Sequence, residues 1–348
     1  VRILVTGGAG FIGANLIAAL IKGHPEDHFL VLDKLTYAGN LANLEPIRGA
    51  ANFEFVRGDI CDPVLVGGLM EGVEVVANLA AESHVDRSIL SAGSFVQTNI
   101  AGTQNLLDAA LKTGPVRFVQ ISTDEVYGSL APHDPPFTES TPLRPNSPYA
   151  ASKAAADLLV RAAFETHRLP TVITRCSNNY GPYQFPEKLI PLMLTNALEG
   201  KALPVYGDGR QVRDWIHVAD HCAGLEEAIY RGQPGQIYNF GGRSELSNLD
   251  LLRLLLGILA QMTGERVETY LKLITFVKDR PGHDRRYAMA FDRTTERLGW
   301  RPGKDIETGL KETVAWYLDN MAWWRAVKAG EYLDYYERQY EGRSAGGG

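Results

Sequence analysis

Cysteine is scarce in this chain of 348 residues: Cys61, Cys176 and Cys222 are odd in number and share no metal-ligand spacing. That excludes a disulfide scaffold and a cysteine-built metal centre, and it points to a reducing, cytoplasmic setting with the three thiols as small buried groups. Positive charge is also short, with 35 Lys and Arg against 41 Asp and Glu, a net charge of −6 and a pI near 5.8. Such a surface does not coat a polyanion, so nucleic acid is not a partner and any phosphate is held locally, by loops and single arginines. Long apolar runs are missing as well. Leu249 to Met262 is broken by Arg253 and Gln261 and falls short of the roughly 20 residues of a membrane-spanning helix, so no membrane partner is expected. Val1 to Ile21 is apolar enough to imitate a signal peptide, but it carries four glycines and lacks both a charged lead-in and a small-residue cleavage site. The chain shows no internal repeat, and Ser344 to Gly348 reads as a flexible tail.

What is present is a rhythm of strands and helices, in a chain long enough for one large domain or two lobes with an ample core. Arg2 to Thr6 is a buried-strand pattern that leads through Gly7, Gly10 and Gly13 into an apolar helix reaching Leu20. Glycine is required in such a turn because side chains would keep the backbone N–H groups and the helix N-terminus away from a pyrophosphate. A second strand, Phe29 to Leu32, ends at Asp33, twenty residues past Gly13. An acid there accepts from both ribose hydroxyls and repels a 2′-phosphate, which favours NAD. The alternation continues through Phe53 to Val56, with Asp59 after it placed to meet the adenine. Val73 to Asn78 follows, with Leu79, Ala80, Ala81 and Ser83 passing beneath the pyrophosphate and nicotinamide ribose. Strands and helices alternating over short loops predict an α/β fold with a Rossmann-like doubly wound parallel sheet.

Two patterns carry chemistry. The strand Arg117 to Ile121 runs straight into Ser122, Thr123, Asp124 and Glu125, and in open α/β sheets the ligand crevice lies beyond the carboxyl ends of the strands. Adjacent residues diverge, so the two acids can meet different atoms of one substrate. Opposite roles demand separated pKa values, a split expected from close like charges and unequal burial. Further on, Tyr149 and Lys153 stand four residues apart at the head of a helix running to about His167 and share one face. A phenol acting as base near neutrality needs its pKa lowered by about three units, roughly 4 kcal/mol. One neighbouring cation supplies about 1–3 units, so an ammonium together with an oxidised nicotinamide suffices.

These residues resemble the extended short-chain dehydrogenase/reductases that act on nucleotide sugars, and among them the 4,6-dehydratases. The matching stretches are Gly7 to Gly13, Leu35 to Asn40, Ala80 to Ser88, Ser122 to Gly128, Tyr149 to Lys153, Arg175 to Tyr183, Pro186 to Pro191, Gly207 to Arg210 with Arg213 to Trp215, and Asp279 to Tyr287. They cover nearly the whole chain. The resemblance implies NAD as cofactor, dTDP-glucose as the nucleotide-sugar substrate, and a dehydration in three steps. Tyr149, supported by Lys153 and Thr123, takes the 4-hydroxyl proton as carbon 4 is oxidised. Glu125 then removes the carbon-5 proton while Asp124 protonates the departing 6-hydroxyl, and hydride returns to carbon 6. At the cofactor it adds Phe11, Ile12, Lys34, Leu35, Thr36, Ile60, Thr98 and Asn179. At the substrate it implies Ser83, His84 and Thr123, with Asn178, Lys188 and Leu189 on the sugar and diphosphate and Pro204 and Tyr206 on the base. Arg213, Asn248, Asp279, Arg280 and His283 would hold the diphosphate, a task suited to the planar donor fork of a guanidinium.

The expected domains are 1–177 for NAD and 178–348 as a smaller C-terminal mixed α/β substrate lobe, with segments near 214–232 and 286–300 returning to the first. Within the first of these, Ile216 to Val218 reads as an added sheet strand and Ala219 to Tyr230 as its covering helix. Trp316, Tyr317, Trp323, Trp324 and Tyr332 read as an aromatic packing cluster. The resemblance also implies a homodimer joined through helices near Ser94 to Lys112 and Tyr149 to His167. The competing activities on this scaffold are a nucleotide-sugar epimerase, a decarboxylase or another 4,6-dehydratase. The resemblance separates them at the acids: related epimerases lack the pair, and relatives acting on GDP-mannose or UDP-glucuronate keep the Glu but usually carry Ser at the position of Asp124. A non-catalytic dinucleotide-binding module would lack the Tyr and Lys pair. Ala14 and Ala154 to Ala156 depart slightly from the family pattern, and Gly242 to Ser247 departs more.

Overall fold

The computed structural model describes residues 1–114 and 116–329; Tyr332 and the tail at 344–348 lie outside the described residues. In the first half the strands are β1 (Arg2–Thr6), β2 (His28–Asp33), β3 (Phe53–Arg57), β4 (Val75–Asn78), β5 (Arg117–Thr123) and β6 (Thr171–Cys176). In the second they are β7 (Asn178–Tyr180), β8 (Leu203–Tyr206), β9 (Val212–His217), β10 (Ile237–Phe240), β11 (Glu245–Ser247) and β12 (Ile274–Val277). Among the described residues, β10-β6-β5-β4-β1-β2-β3 form one seven-stranded sheet, parallel throughout. Parallel strands are covered on both faces, which is why these runs are continuously apolar and not alternating. Ile3, Val5, Val31 and Val119 pack on one face, and Leu4, Leu30, Val76 and Phe118 on the other. The order reverses where β1 lies between β4 and β2, and that switch point is where such sheets bind ligands.

The covering helices follow from local chemistry. Phe11–Gly23 starts directly after the glycine turn, and its buried Leu16, Ile17 and Leu20 lie against the sheet. The catalytic helix Pro148–His167 has Ser147 as N-cap, its hydroxyl accepting from the Ala150 N–H (3.1 Å), Pro148 in the first turn, and Arg168 in the left-handed region to end it. Before the helix Thr103–Thr113 the chain widens into a π-helical stretch, Val96–Gly102. There the buried Asn99 accepts from the Glu82 N–H (2.8 Å) and donates to Ser152 Oγ (2.8 Å), tying the loop after β4 to the catalytic helix.

The second half builds two small sheets, β11-β9-β7 and β12-β8, over a separate core that includes Leu194, Leu255, Leu259, Tyr317 and Trp324. The strand expected at Ile216 to Val218 is corrected here. It belongs to β9, which pairs with β7 and β11, and the seventh strand of the large sheet is β10. The helix that follows, Val218–Arg231, does cover the large sheet. Its Cys222, Leu225 and Ile229 join the core of β1 and the first helix, as do Phe291, Leu298 and Trp300.

Candidate active site

At the carboxyl ends of β1, β4 and β5 lies a cavity of about 300 Å³. Its floor is the glycine turn. Gly7 has φ +71°, and a Cβ there would stand 2.7 Å from the Ala80 nitrogen, so the turn after β1 and the loop after β4 approach as only glycine allows. The first helix has no side-chain cap at Gly10, which leaves its N-terminal N–H groups directed at the cavity, the arrangement that binds phosphate. Asp33 ends β2 with Oδ2 accepting from the Ala9 N–H (2.9 Å) and Oδ1 from the Leu35 N–H (2.8 Å). Burial raises its pKa while these two bonds oppose the rise, and each oxygen keeps a lone pair for a ribose hydroxyl. Lys34 pairs with Asp59 at 2.6 Å.

Gly7, Gly10, Phe11, Ile12, Gly13, Asp33, Lys34, Thr36, Asp59 and Ile60 all line this cavity, as do Leu79, Ala80, Ala81, Ser83, Thr98 and Asn179. Leu35 is not in the lining; its φ of 57° turns the chain after β2. The residues fit a dinucleotide: a side-chain-free phosphate cradle at a helix N-terminus, then a carboxylate at the ribose position.

The opposite end of the same cavity holds Thr123, Asp124, Glu125, Tyr149 and Lys153. Strand β5 ends at Thr123, in register with Cys176 of β6, and a single 3₁₀ turn, Asp124–Tyr127, presents the two acids. Asp124 is 2% exposed. Its carboxyl is pushed well above the usual range, first by burial and then by the Glu125 charge, with Arg213 opposing. Glu125 is raised less strongly: burial lifts it, and Arg280, Lys188 and Arg213 pull it back. Burial thus favours the neutral form of both carboxyls, and the cations facing Glu125 oppose it there. Thr123 Oγ1 donates to Asp124 Oδ1 (3.2 Å) and accepts from the Glu125 N–H (3.3 Å). Among the described residues, the buried Ser122 Oγ, Asp124 Oδ2 and Asn178 Oδ1 at this end have no hydrogen-bond partner, which suits a hydroxyl-rich ligand.

Tyr149 and Lys153 share this volume without a direct bond between them. Lys153 Nζ donates to the Ile121 carbonyl (2.6 Å), and burial lowers its pKa against the opposing charge of Asp157. The Tyr149 phenol is pushed up by burial and by Glu125, Cys176 and Asp124, with the Thr123 hydroxyl acting the other way. The protein's own groups therefore keep the phenol protonated, and positive charge brought by a bound ligand is what would lower it.

The nucleotide-side residues divide. Asn178, Lys188 and Ser83 line the cavity, and Lys188 Nζ donates to the Ser83 carbonyl (2.7 Å). His84 is buried behind it, 3.4 Å from the Glu187 carbonyl, and Leu189 packs on the second core. Pro204, Tyr206, Arg213, Asn248, Asp279, Arg280 and His283 are outside the lining, and the polar side chains of Tyr206, Arg213, Asp279, Arg280 and His283 lie in a neighbouring region. There Tyr206 donates to Asp86 Oδ2 (2.9 Å), Arg280 reaches Asp86 Oδ1 (3.5 Å), and His283 meets Asp279 (2.6 Å). Arg213 donates to the Asp284 carbonyl (3.0 Å) and lies 4.2 Å over the Tyr287 ring. Pro204 sits on β8 and Asn248 opens the helix Asn248–Thr263. The charges of Arg280 and Arg213 act on Glu125, so the two groups adjoin.

Sequence reasoning missed Cys176, Gln184 and Glu187 in the lining and Asp86 in the polar group. The signal for three of them was available. Glu187 adjoins Lys188, Asp86 lies inside the Ala80 to Ser88 stretch, and Cys176 inside Arg175 to Tyr183. Glu187 is buried against Arg87 at 2.9 Å.

Comparison with known proteins agrees with this geometry. Residues 4–313 match the family model described as GDP-mannose 4,6 dehydratase. A dTDP-glucose 4,6-dehydratase of Actinoplanes sp. is 51% identical over 328 residues, covering 93% of this chain and 99% of that protein. The crystal structure of DesIV, a dTDP-glucose 4,6-dehydratase from Streptomyces venezuelae with NAD and TYD bound, superposes with a TM-score of 0.89. It has 48% identity over 94% of this chain and all of that one (100%). A UDP-glucose 4-epimerase from Thermotoga maritima shares the fold at a TM-score of 0.83 but only 28% identity, over 92% of this chain and 100% of that one.

Proposed function

The chain belongs to the family described as GDP-mannose 4,6 dehydratase, and within it to the dTDP-glucose 4,6-dehydratases, and from that premise we propose that it converts dTDP-glucose to dTDP-4-keto-6-deoxyglucose with resident NAD. The observation that carries this reading is the Asp124 and Glu125 pair, presented by the turn at the end of β5 and set in one cavity with the glycine cradle and Tyr149.

The dinucleotide, when bound, supplies the hydride acceptance at carbon 4 and the return at carbon 6. Gly7, Gly10 and Gly13 with the helix N-terminus hold its pyrophosphate, and Asp33 its ribose. Tyr149 takes the proton of the 4-hydroxyl, positioned by Thr123. Burial and the neighbouring carboxyls raise its phenol pKa, and positive charge in the cavity would lower it. The resulting ketone acidifies carbon 5. Glu125, kept ionisable by Arg280, Lys188 and Arg213, removes that proton. Asp124, whose neutral form burial favours, gives its proton to the 6-hydroxyl, and water leaves across carbons 5 and 6. Lys188, Arg213, Arg280, Asn248 and His283 hold the diphosphate, and Pro204 and Tyr206 the base.

By this reading 1–177 serves NAD, with 286–300 and, of 214–232, the helix Val218–Arg231 returning to it, and 178–348 serves mainly the nucleotide sugar. A homodimer through the helices near 94–112 and 149–167 is supported by apolar side chains left on and beside them: Leu90 is 70% exposed, Val96 52% and Leu158 56%. No described helix is long and apolar enough to cross a membrane. The thiols of Cys61, Cys176 and Cys222 are free, which supports a reducing, cytoplasmic setting. The test is incubation with dTDP-glucose and no added NAD, followed by alkali-induced absorbance of a 4-keto sugar. Appearance of the galactose isomer without that absorbance would replace the dehydratase by an epimerase.

A further inference from the structure

The aromatic side chains at the end of the described chain pack on one another, and two of them also reach the walls of the active-site cavity. Trp323 Nε1 donates to Asn43 Oδ1 (2.9 Å), and Asn43 Nδ2 donates to the Ala9 carbonyl (2.9 Å). Asn43 is 4% exposed, so both ends of its amide are committed inside the protein. Ala9 lies in the glycine turn, its N–H donates to Asp33 Oδ2 (2.9 Å), and its carbonyl also accepts from the Asn40 N–H (3.1 Å). One relay therefore runs from Trp323 through Asn43 and Ala9 to the carboxylate at the ribose position. A second runs from the Tyr317 hydroxyl to the Gln184 carbonyl, and from Gln184 Nε2 to the Asn179 carbonyl (2.8 Å), both of them cavity residues.

Packing alone does not hold the first relay. A second cavity of about 110 Å³, bounded by Asn43, Tyr183 and Trp323, shares Ala38 and Gly39 with the main one. Ala9 itself is fully buried in the main core, so it is on the Asn43 and Trp323 side, which borders this second cavity, that hydrogen bonds and not packing make the connection to the turn. We infer that Trp323 and Asn43 are positioning residues for the dinucleotide-binding turn, fixing Ala9 so that the cofactor stays bound from one turnover to the next. The inference rests on the reading of the cavity as an NAD site. Retention matters because the hydride taken from carbon 4 must be returned to the same sugar, and a cofactor lost in mid-cycle strands the keto sugar.

Trp323→Phe keeps the ring and removes the N–H, leaving Asn43 Oδ1 buried without its donor; Asn43→Leu removes the relay. Trp316→Phe, in the same aromatic cluster but outside the relay, is the control. Each protein is loaded with isotope-labelled NAD, chased with excess unlabelled NAD, and the bound label followed by mass spectrometry after gel filtration. Trp323→Phe is expected to exchange about tenfold faster than the parent, the equivalent of about 1.4 kcal/mol. Without added NAD its product yield falls over successive turnovers, and added NAD restores it. Exchange within twofold of the parent in Trp323→Phe overturns the inference, as does equal acceleration in Trp316→Phe. Should Asn43→Leu not fold, Trp323→Phe alone decides. A parent protein that binds no dinucleotide would instead remove the NAD reading itself.

Discussion

Replacing Glu125 by Gln and Asp124 by Asn, singly and together, tests the division of labour between two adjacent carboxyls. Both substitutions are close to isosteric. Among the described residues Asp124 Oδ2 has no hydrogen-bond partner and Oδ1 meets the Thr123 hydroxyl, so an amide enters with little repacking. A positioned general acid or base contributes about 10²–10⁴-fold, so each single variant should lose about 3–5 kcal/mol of transition-state stabilisation in the elimination step. Because the two groups act in one step, the double variant should lose about as much as the worse single one, and not the product of the two. The environment adds a second signature. The Glu125 charge is, after burial, the main cause of the raised Asp124 pKa, so Glu125→Gln should move the alkaline limb of the remaining activity to lower pH. The assay is a single turnover with dTDP-glucose, following oxidation by the near-ultraviolet band of reduced nicotinamide and water loss by the alkali-developed absorbance of the product. Oxidation is expected to persist and water loss to collapse. If the double variant released product within tenfold of the parent rate, neither carboxyl would be the group assigned to it.

The same pair sets a pH dependence of stability. Both carboxyls are raised in the folded protein, so folding binds more protons than the unfolded chain and stability falls as pH climbs past 3.8 and 4.5 towards their folded values. The Asp124→Asn/Glu125→Gln protein should therefore melt above the parent at pH 7 and level with it near pH 3, by calorimetry; an equal shift at both would refute the cause. Arg175 and Asp157 form a buried pair, with 4% and 1% of their side chains exposed and Nε 2.9 Å from Oδ2. Arg175→Met should cost about 3–5 kcal/mol in denaturant unfolding, and adding Asp157→Leu should recover most of it. A Cβ at position 13 would meet the Gly7 carbonyl and stand 2.6 Å from Gly8 Cα, so Gly13→Ala should purify without dinucleotide, read by absorbance after acid release. Leu158→Glu should convert a dimer to monomer in sedimentation velocity; an unchanged sedimentation coefficient would move the interface elsewhere.

The reacting groups were legible because each comes from a short stretch with its own local rule. Tyr149 and Lys153 are brought together by the rise of one helix, and Thr123, Asp124 and Glu125 by the end of one strand, so spacing along the chain is spacing in space. The partners that tune them obey no such rule. Nothing in the alternation of Val212–His217 says whether that strand joins the large sheet. It pairs instead with β7 and β11, with the Gly242 backbone lying close on the Trp215 carbonyl, while the large-sheet edge goes to β10. Asp86 was read as part of a motif and not as the anchor of Tyr206, 120 residues later. Trp323 was read as packing, which it does, but its N–H closes a relay to a residue 280 positions earlier. Such contacts leave no period or spacing, because either partner could satisfy its hydrogen bonds elsewhere. Tuning therefore has to be sought in the structure: the acids alone make a generic carboxyl pair, and it is Arg280 and Lys188, brought from separate parts of the chain, that oppose the effect of burial on Glu125, while Arg213 acts on both carboxyls.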